Sequence, residues 1–193
     1  LKRKPSDINE HLETLSNYAS RCNSIFETGV RGVVSSWALL HGLSKNNSDF
    51  KTFVMNDIDL INTSSIMKVM DRINISGEFI RGNNLDLDLN KNFDLVFIDT
   101  LHVYGQLKRE LEKYSKIAKK YIILHDTTVD ADKGEVIRLG LDIKTIVNQT
   151  NFEEAEIVIG LWPAVDEFLN LNKDWFLHKR YVNNNGLTIL QKN

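Results

Sequence analysis

The chain has 193 residues, enough for one α/β domain with a full core and too few for two ordinary ones. Its formal net charge of -2 and isoelectric point near 6.2 provide no global field for nucleic acid or an anionic membrane, so its partners are expected to be small or neutral. A single cysteine, Cys22, excludes an intramolecular disulfide framework and fits a reducing, cytoplasmic compartment, and no apolar run approaches the roughly twenty residues of a bilayer span.

Residues 1–5, Leu-Lys-Arg-Lys-Pro, read as a linker or tag remnant, as in a domain excised from a longer protein with further domains. Ser6 can cap a helix that carries Ile8, Leu12, Leu15 and Tyr18 at spacings of three and four. Ile25 and Phe26 form a short buried strand ending in Glu27, and Gly29 and Gly32 then allow a tight turn and a close backbone approach. An amphipathic helix follows from Val33 to Leu43. The dinucleotide fingerprint G-x-G-x-x-G is incomplete in this loop, and no Gly-Lys-Ser/Thr follows to make a P-loop. A carboxylate at a strand tip suits hydroxyl groups or a cationic ligand, so the loop points to an adenosine ligand without a pyrophosphate. The plain alternative is an ordinary strand-to-helix turn.

Lys51 to Asp57 is a second strand ending in acids, and Thr63 or Ser64 opens a helix with Ile66, Val69, Met70 and Ile73. Glu78 to Arg81 is a brief third strand running into Gly82-Asn83-Asn84. Phe93 to Asp99 is the clearest central strand, with a helix expected from about His102 to Lys119. Within that helix Lys108, Arg109, Lys113, Lys116, Lys119 and Lys120 interleave with Glu110 and Glu112, which reads as a solvated face. Tyr121 to Leu124 is the fifth strand and ends at His125-Asp126. The pattern weakens from Val129 to Asn151, apart from a helix around Val136 to Leu141. Ile157 to Leu161 is a short apolar run, Trp162-Pro163 either walls an acceptor pocket or joins the core, and Ala164 to Leu171 is a helix. Trp175 to Val182, Asn183-Asn184-Asn185-Gly186 and Leu187 to Leu190 make a hairpin. Alternating strands and helices predict an α/β fold: a Rossmann-like, doubly wound, mostly parallel seven-stranded sheet with a C-terminal antiparallel hairpin. Ligands should bind at the carboxyl ends of the strands.

The order of these motifs resembles the class I S-adenosylmethionine-dependent methyltransferases over nearly the whole chain. Within that class, Phe97-Ile98-Asp99-Thr100-Leu101-His102-Val103-Tyr104 and Leu124-His125-Asp126-Thr127 look like the paired signatures of small-molecule O-methyltransferases. That group includes sugar and macrolide-sugar enzymes and the cephalosporin-hydroxylase-like proteins. The resemblance implies that Glu27, Gly29 and Gly32 line the methionine and ribose side of S-adenosylmethionine, with Asp99 close by. Asp57 would accept the ribose hydroxyls, and Asn83 and Asn84 would lie near the adenine. The loop departs from the family in carrying Val30-Arg31, and His125-Asp126 stands where the metal-dependent sugar enzymes often show Glu-Asp.

Methyl transfer to a sugar hydroxyl needs a base or a metal. His102 is the base by type, because an unperturbed imidazole titrates near pH 6.5. Strands four and five should lie about 4.8 Å apart and bring Asp99 and Asp126 together, where a divalent cation would relieve their repulsion. Carboxylates favour Mg²⁺ or Mn²⁺, and His125 as third ligand shifts the preference toward Mn²⁺. Alternatively, Asp126 caps the next segment and His125 packs beneath it. The expected function is O-methylation of a sugar or glycan. Methylation of a phenol or other small metabolite, or an inactive cofactor-binding interaction module, stands as the alternative.

Overall fold

The computed structural model describes residues 7–193, so the linker reading of residues 1–5 and the capping role of Ser6 lie outside the described residues. A 3₁₀ turn, Asn9–His11, leads into α1, Leu12–Ala19, whose Leu15, Tyr18 and Ala19 are buried. The central layer consists of β1 (Ser24–Thr28), β2 (Thr52–Asp57), β3 (Ser76–Arg81), β4 (Phe93–Ile98), β5 (Ala118–His125), β6 (Trp175–Tyr181) and β7 (Leu187–Lys192). Their order is β3-β2-β1-β4-β5-β7-β6, parallel from β3 to β5 and antiparallel at β7 and β6. β1 and β4 are central in that order, so their side chains are covered on both faces and read as continuous apolar runs.

On one face α1, α2 (Val34–Ser44) and α3 (Ser64–Arg72) pack with Ile25, Phe53, Met55, Leu95 and Ile123. On the other, α4 (Tyr104–Tyr114) and α8 (Trp162–Leu171) pack with Phe26, Phe93, Val96 and Ile122. A smaller cluster around Val103, Val136, Phe152 and Ile157 joins α5 (Glu135–Arg138), α6 (Ile143–Thr150) and α7 (Glu154–Val158) to the rim of the sheet.

Three boundaries differ from the sequence reading. The helix expected to reach Lys119 stops at Tyr114, because Ala118 already pairs with Phe93 and Lys120 reaches back along the strand to Asp94. In the weakly patterned region, α6 is an additional helix with no buried residue, capped by Asp142, whose Oδ2 accepts from the Thr145 N–H at 3.0 Å. The apolar run at Ile157 belongs to α7, opened by a capping box between Glu153 and Glu156. Among the described residues no helix is long and apolar enough to cross a membrane.

Candidate active site

A cavity of about 740 Å³ lies at the carboxyl ends of β1, β2, β3 and β4, where the sheet order reverses direction in the chain. Its floor is the turn after β1. Gly29 has φ +86°, and a Cβ there would sit 1.8 Å from the Asp99 carbonyl oxygen, so only glycine lets this turn press against the tip of β4. A Cβ at Gly32 would meet only Val34 Cγ2 at 3.7 Å, an ordinary contact. Arg31 and Val33 also take left-handed conformations, φ 40° and 61°, which turn successive backbone N–H groups inward.

That concavity is already filled. Asp57 Oδ2 accepts from the N–H groups of Val30 at 2.9 Å and Arg31 at 2.8 Å, and its Oδ1 accepts from Asp59 N–H at 2.9 Å. Two of the N–H groups that a phosphate would use in this turn are taken by a carboxylate, in keeping with the incomplete glycine pattern. Asp57 lines the cavity while holding its floor, and the exposed Asp59 beside it, missed in the sequence reading, supplies a second carboxylate on the same wall.

Glu27 occupies a different place from the one expected. It is fully buried and absent from the cavity wall, turned beneath the start of α2, where Ser35 Oγ donates to its Oε1 at 2.5 Å. Burial pushes its carboxyl up to about 8, against the Ser35 hydrogen bond, and Oε2 has no partner. Glu27 therefore supports the floor of the cavity from beneath.

Asn83 lines the cavity and caps the 3₁₀ turn Asn84–Asp86 through Leu85 N–H. Asn84 is buried in a network that sequence periodicity hid. Glu110, read as part of a solvated face, is 1% exposed, and its Oε1 accepts from Asn84, Gln106 and Thr100. The neighbouring cations have partners as well: Lys108 binds Glu167, Arg109 binds Glu156, and Lys113 donates to the backbone carbonyls after β3. Trp162 is half-buried with the Arg180 guanidinium 3.6 Å from its ring centre, and it does not line the cavity.

At the β4 and β5 tips the structure assembles a cluster around His102. Its Nε2 lies 3.2 Å from Asp99 Oδ1 and 3.2 Å from Asp126 Oδ2, and its Nδ1 lies 3.2 Å from Asp130 Oδ2 and 3.4 Å from Glu135 Oε2. Glu135 also accepts from the His102 backbone N–H at 2.9 Å, and the Glu135 N–H donates to His102 O. Burial alone lowers the pKa of His102, but the carboxylates of Asp130, Asp99 and Glu135 beside its ring and the Asp126 charge outweigh it and hold the ring well above its ordinary value of 6.5. A general base must be neutral with a lone pair facing the acceptor, and here both ring nitrogens of His102 face carboxylates. Asp99 experiences the reverse: burial raises its pKa, and the two histidines more than offset that, so it stays ionised well below the usual range.

His125 approaches from below, with Nδ1 at 3.4 Å from Asp99 Oδ1 and 3.0 Å from Asp126 Oδ2, and it lies off the wall of the main cavity. Burial lowers its pKa, and the two carboxylates raise it to about 10. Asp99, His102 and Asp126 are one group whose donor atoms converge within 4.8 Å, and His125 joins Asp126 and Asp7 in another. The donor set of the first group, two carboxylates and an imidazole, fits a divalent cation. The far nitrogen of its imidazole faces two further carboxylates, Asp130 at 3.2 Å and Glu135 at 3.4 Å, although neither is aligned to accept a hydrogen bond from it. Those two lay in the stretch without periodicity and carried no sequence signal.

The fold is that of the class I methyltransferases. An O-methyltransferase from Bacillus cereus, solved with S-adenosylhomocysteine, superposes with TM-score 0.59 at 16% identity over 95% of this chain and 81% of its own. A Staphylococcus aureus protein assigned as a caffeoyl-CoA O-methyltransferase gives TM-score 0.62 at 17% identity over 95% and 83%. The N-methyltransferase NodS of Bradyrhizobium japonicum gives 0.59 at 13% over 95% and 93%, so the same fold serves different acceptor atoms. No protein-family model matches the sequence, and no curated protein matches it.

Proposed function

We propose that the chain is an S-adenosylmethionine-dependent O-methyltransferase acting on a hydroxyl of a sugar or glycan, with a divalent cation, Mn²⁺ or Mg²⁺, at Asp99, His102 and Asp126. The observation that carries this reading is Asp57 occupying the Val30 and Arg31 N–H groups of the turn after β1, which supports a nucleoside ligand without a pyrophosphate. Bound S-adenosylmethionine supplies an electrophilic methyl on a cationic sulfur, and a cavity walled by Asp57, Asp59, Asp99, Asp126 and Glu135 suits that charge. The cation, when bound, lowers the pKa of a hydroxyl that would otherwise stay protonated near neutrality.

The protein's own residues prepare both events. Glu135 accepts from the His102 backbone N–H, the Asp130 and Glu135 carboxylates lie beside Nδ1, and Nε2 faces Asp99 and Asp126. Among the described residues Arg31 is the sole lysine or arginine on the cavity wall, and its side chain is 89% exposed at the rim, which supports an acceptor without phosphate or carboxylate. A polyol meets carboxylates through hydroxyl donors, which favours a sugar over a coenzyme A thioester.

The test pairs calorimetric titration of S-adenosylhomocysteine with a turnover assay of methyl glycosides and catechol, with Mn²⁺ and after exhaustive chelation. Micromolar binding, and glycoside turnover that chelation abolishes while the melting curve is unchanged, is the expected result. Binding without any turnover would make the chain an interaction module, turnover of catechol alone would move the acceptor to phenols, and absence of binding would overturn the reading.

A further inference from the structure

We infer that Gln106 reads the base of the nucleoside, its side-chain carbonyl Oε1 accepting a hydrogen bond from the 6-amino group of adenine. The inference rests on the nucleoside reading of the cavity above and adds to it the group that selects the base.

The argument starts from Glu110. Its Oε1 takes three hydrogen bonds, from Asn84 Nδ2 at 2.5 Å, Thr100 Oγ1 at 2.6 Å and Gln106 Nε2 at 2.8 Å. An oxygen that accepts from two side-chain amides fixes which way both of them face, because turning either by 180° would set oxygen against oxygen. The second Gln106 N–H donates to Asn84 Oδ1 at 3.0 Å. Both donors of Gln106 are therefore spent inside the protein, and so is the one side-chain acceptor of Asn84. Asn84, expected near the adenine, lines the cavity while its side chain takes part in this network.

What the network leaves over is Gln106 Oε1. Gln106 stands on the cavity wall with both side-chain N–H groups engaged, which leaves Oε1 as the polar atom it can offer to the cavity. The loop that frames it is held still: Lys113 Nζ donates to the carbonyls of Asn84 at 2.9 Å and Leu85 at 2.8 Å, and Tyr114 OH donates to Asn84 O at 2.8 Å. Ile58, Leu85 and Leu101 supply apolar wall, which suits the faces of a purine. A fixed acceptor whose own donors are committed cannot adapt to a second acceptor. It matches the 6-amino group of adenine and opposes the 6-oxo group of hypoxanthine.

The experiment is a calorimetric comparison of S-adenosylhomocysteine with S-inosylhomocysteine on the full chain. Wild type should prefer the adenosyl compound by at least about tenfold. Gln106→Met, close in volume but without the carbonyl, should bring the two within about twofold, chiefly by weakening the adenosyl compound. Glu110→Gln offers an N–H to Gln106, frees its amide to turn and should relax the preference in the same direction. Melting curves check that both variants fold, and the wild-type comparison stands without them. Equal wild-type affinities, or a preference that survives both substitutions, would overturn the assignment to Gln106. Failure of wild type to bind S-adenosylhomocysteine would instead bring down the nucleoside reading itself.

Discussion

Replacing Glu27 by Gln should remove a pH-dependent loss of stability. In the unfolded chain a glutamate titrates near 4.5, and in the fold burial pushes Glu27 to about 8. Between those values the folded protein binds more protons at this site than the unfolded chain, so stability falls as pH rises. The contribution is whole below 4.5 and gone once the pH has passed about 8. At about 1.4 kcal/mol per pH unit, the gap sets an upper limit of about 5 kcal/mol on what Glu27 costs the fold at alkaline pH. Glutamine keeps the shape and an oxygen to accept from Ser35 but carries no proton to lose. Urea denaturation of both proteins without added metal, from pH 5 to 9, isolates the effect as the difference between two stability curves, because every other titrating group is common to both. The variant should gain on wild type steadily as pH rises, by several kcal/mol in all. A difference curve that is flat over this range would refute the reasoning and show that Glu27 is ionised in the fold throughout.

Three further outcomes follow from the same geometry. Gly29→Ala forces a Cβ against the Asp99 carbonyl at a left-handed φ, so thermal melting should show a loss of about 2 to 3 kcal/mol or more, and calorimetry a loss of S-adenosylhomocysteine binding; wild-type values would contradict the close approach. Arg31→Gly relieves a left-handed residue whose side chain is 89% exposed, and should stabilise by about 0.5 to 1 kcal/mol, read as a rise in melting temperature. Glu135→Gln removes a carboxylate charge beside His102 Nδ1, and Mn²⁺ affinity measured by titration should fall about 10- to 100-fold while S-adenosylhomocysteine affinity stays put; unchanged Mn²⁺ affinity would remove Glu135 from the support of the cation site.

The sheet was legible because its strands are apolar runs bounded by polar tips, and the tips themselves named Asp57, Asp99 and Asp126. What those side chains do was harder to read. Glu27 and Asp57 both sit at strand ends, yet one turns under α2 and the other over the turn after β1, a distinction that depends on backbone direction at Gly29 and Arg31 rather than on residue type. Glu110 falls on the helix face that meets the loop after β3, and its charge hid that burial because its partners, Asn84 and Thr100, come from two other segments. Asp130 and Glu135 lie in a region of weak periodicity, and only the fold brings them to His102.

The hairpin has a consequence for when the site comes into being. β7 closes β5, and the turn beyond it reaches across the molecule: Asn185 O accepts from the N–H groups of Thr128 and Val129, and Gly186 leaves no room for a side chain against Thr128. His11 Nε2 meets the carbonyls of Asn183 and Asn184, and Asn183 donates to Glu10. The segment that follows Asp126 is thus shaped by residues far later in the chain. On a ribosome, where chains fold from the N-terminus as they emerge, β1 to β4 can pair early while the end of β5 waits for its last neighbour. A product truncated before residue 187 would therefore keep much of its sheet and lack the contacts that hold Thr128 and Val129 beyond Asp126.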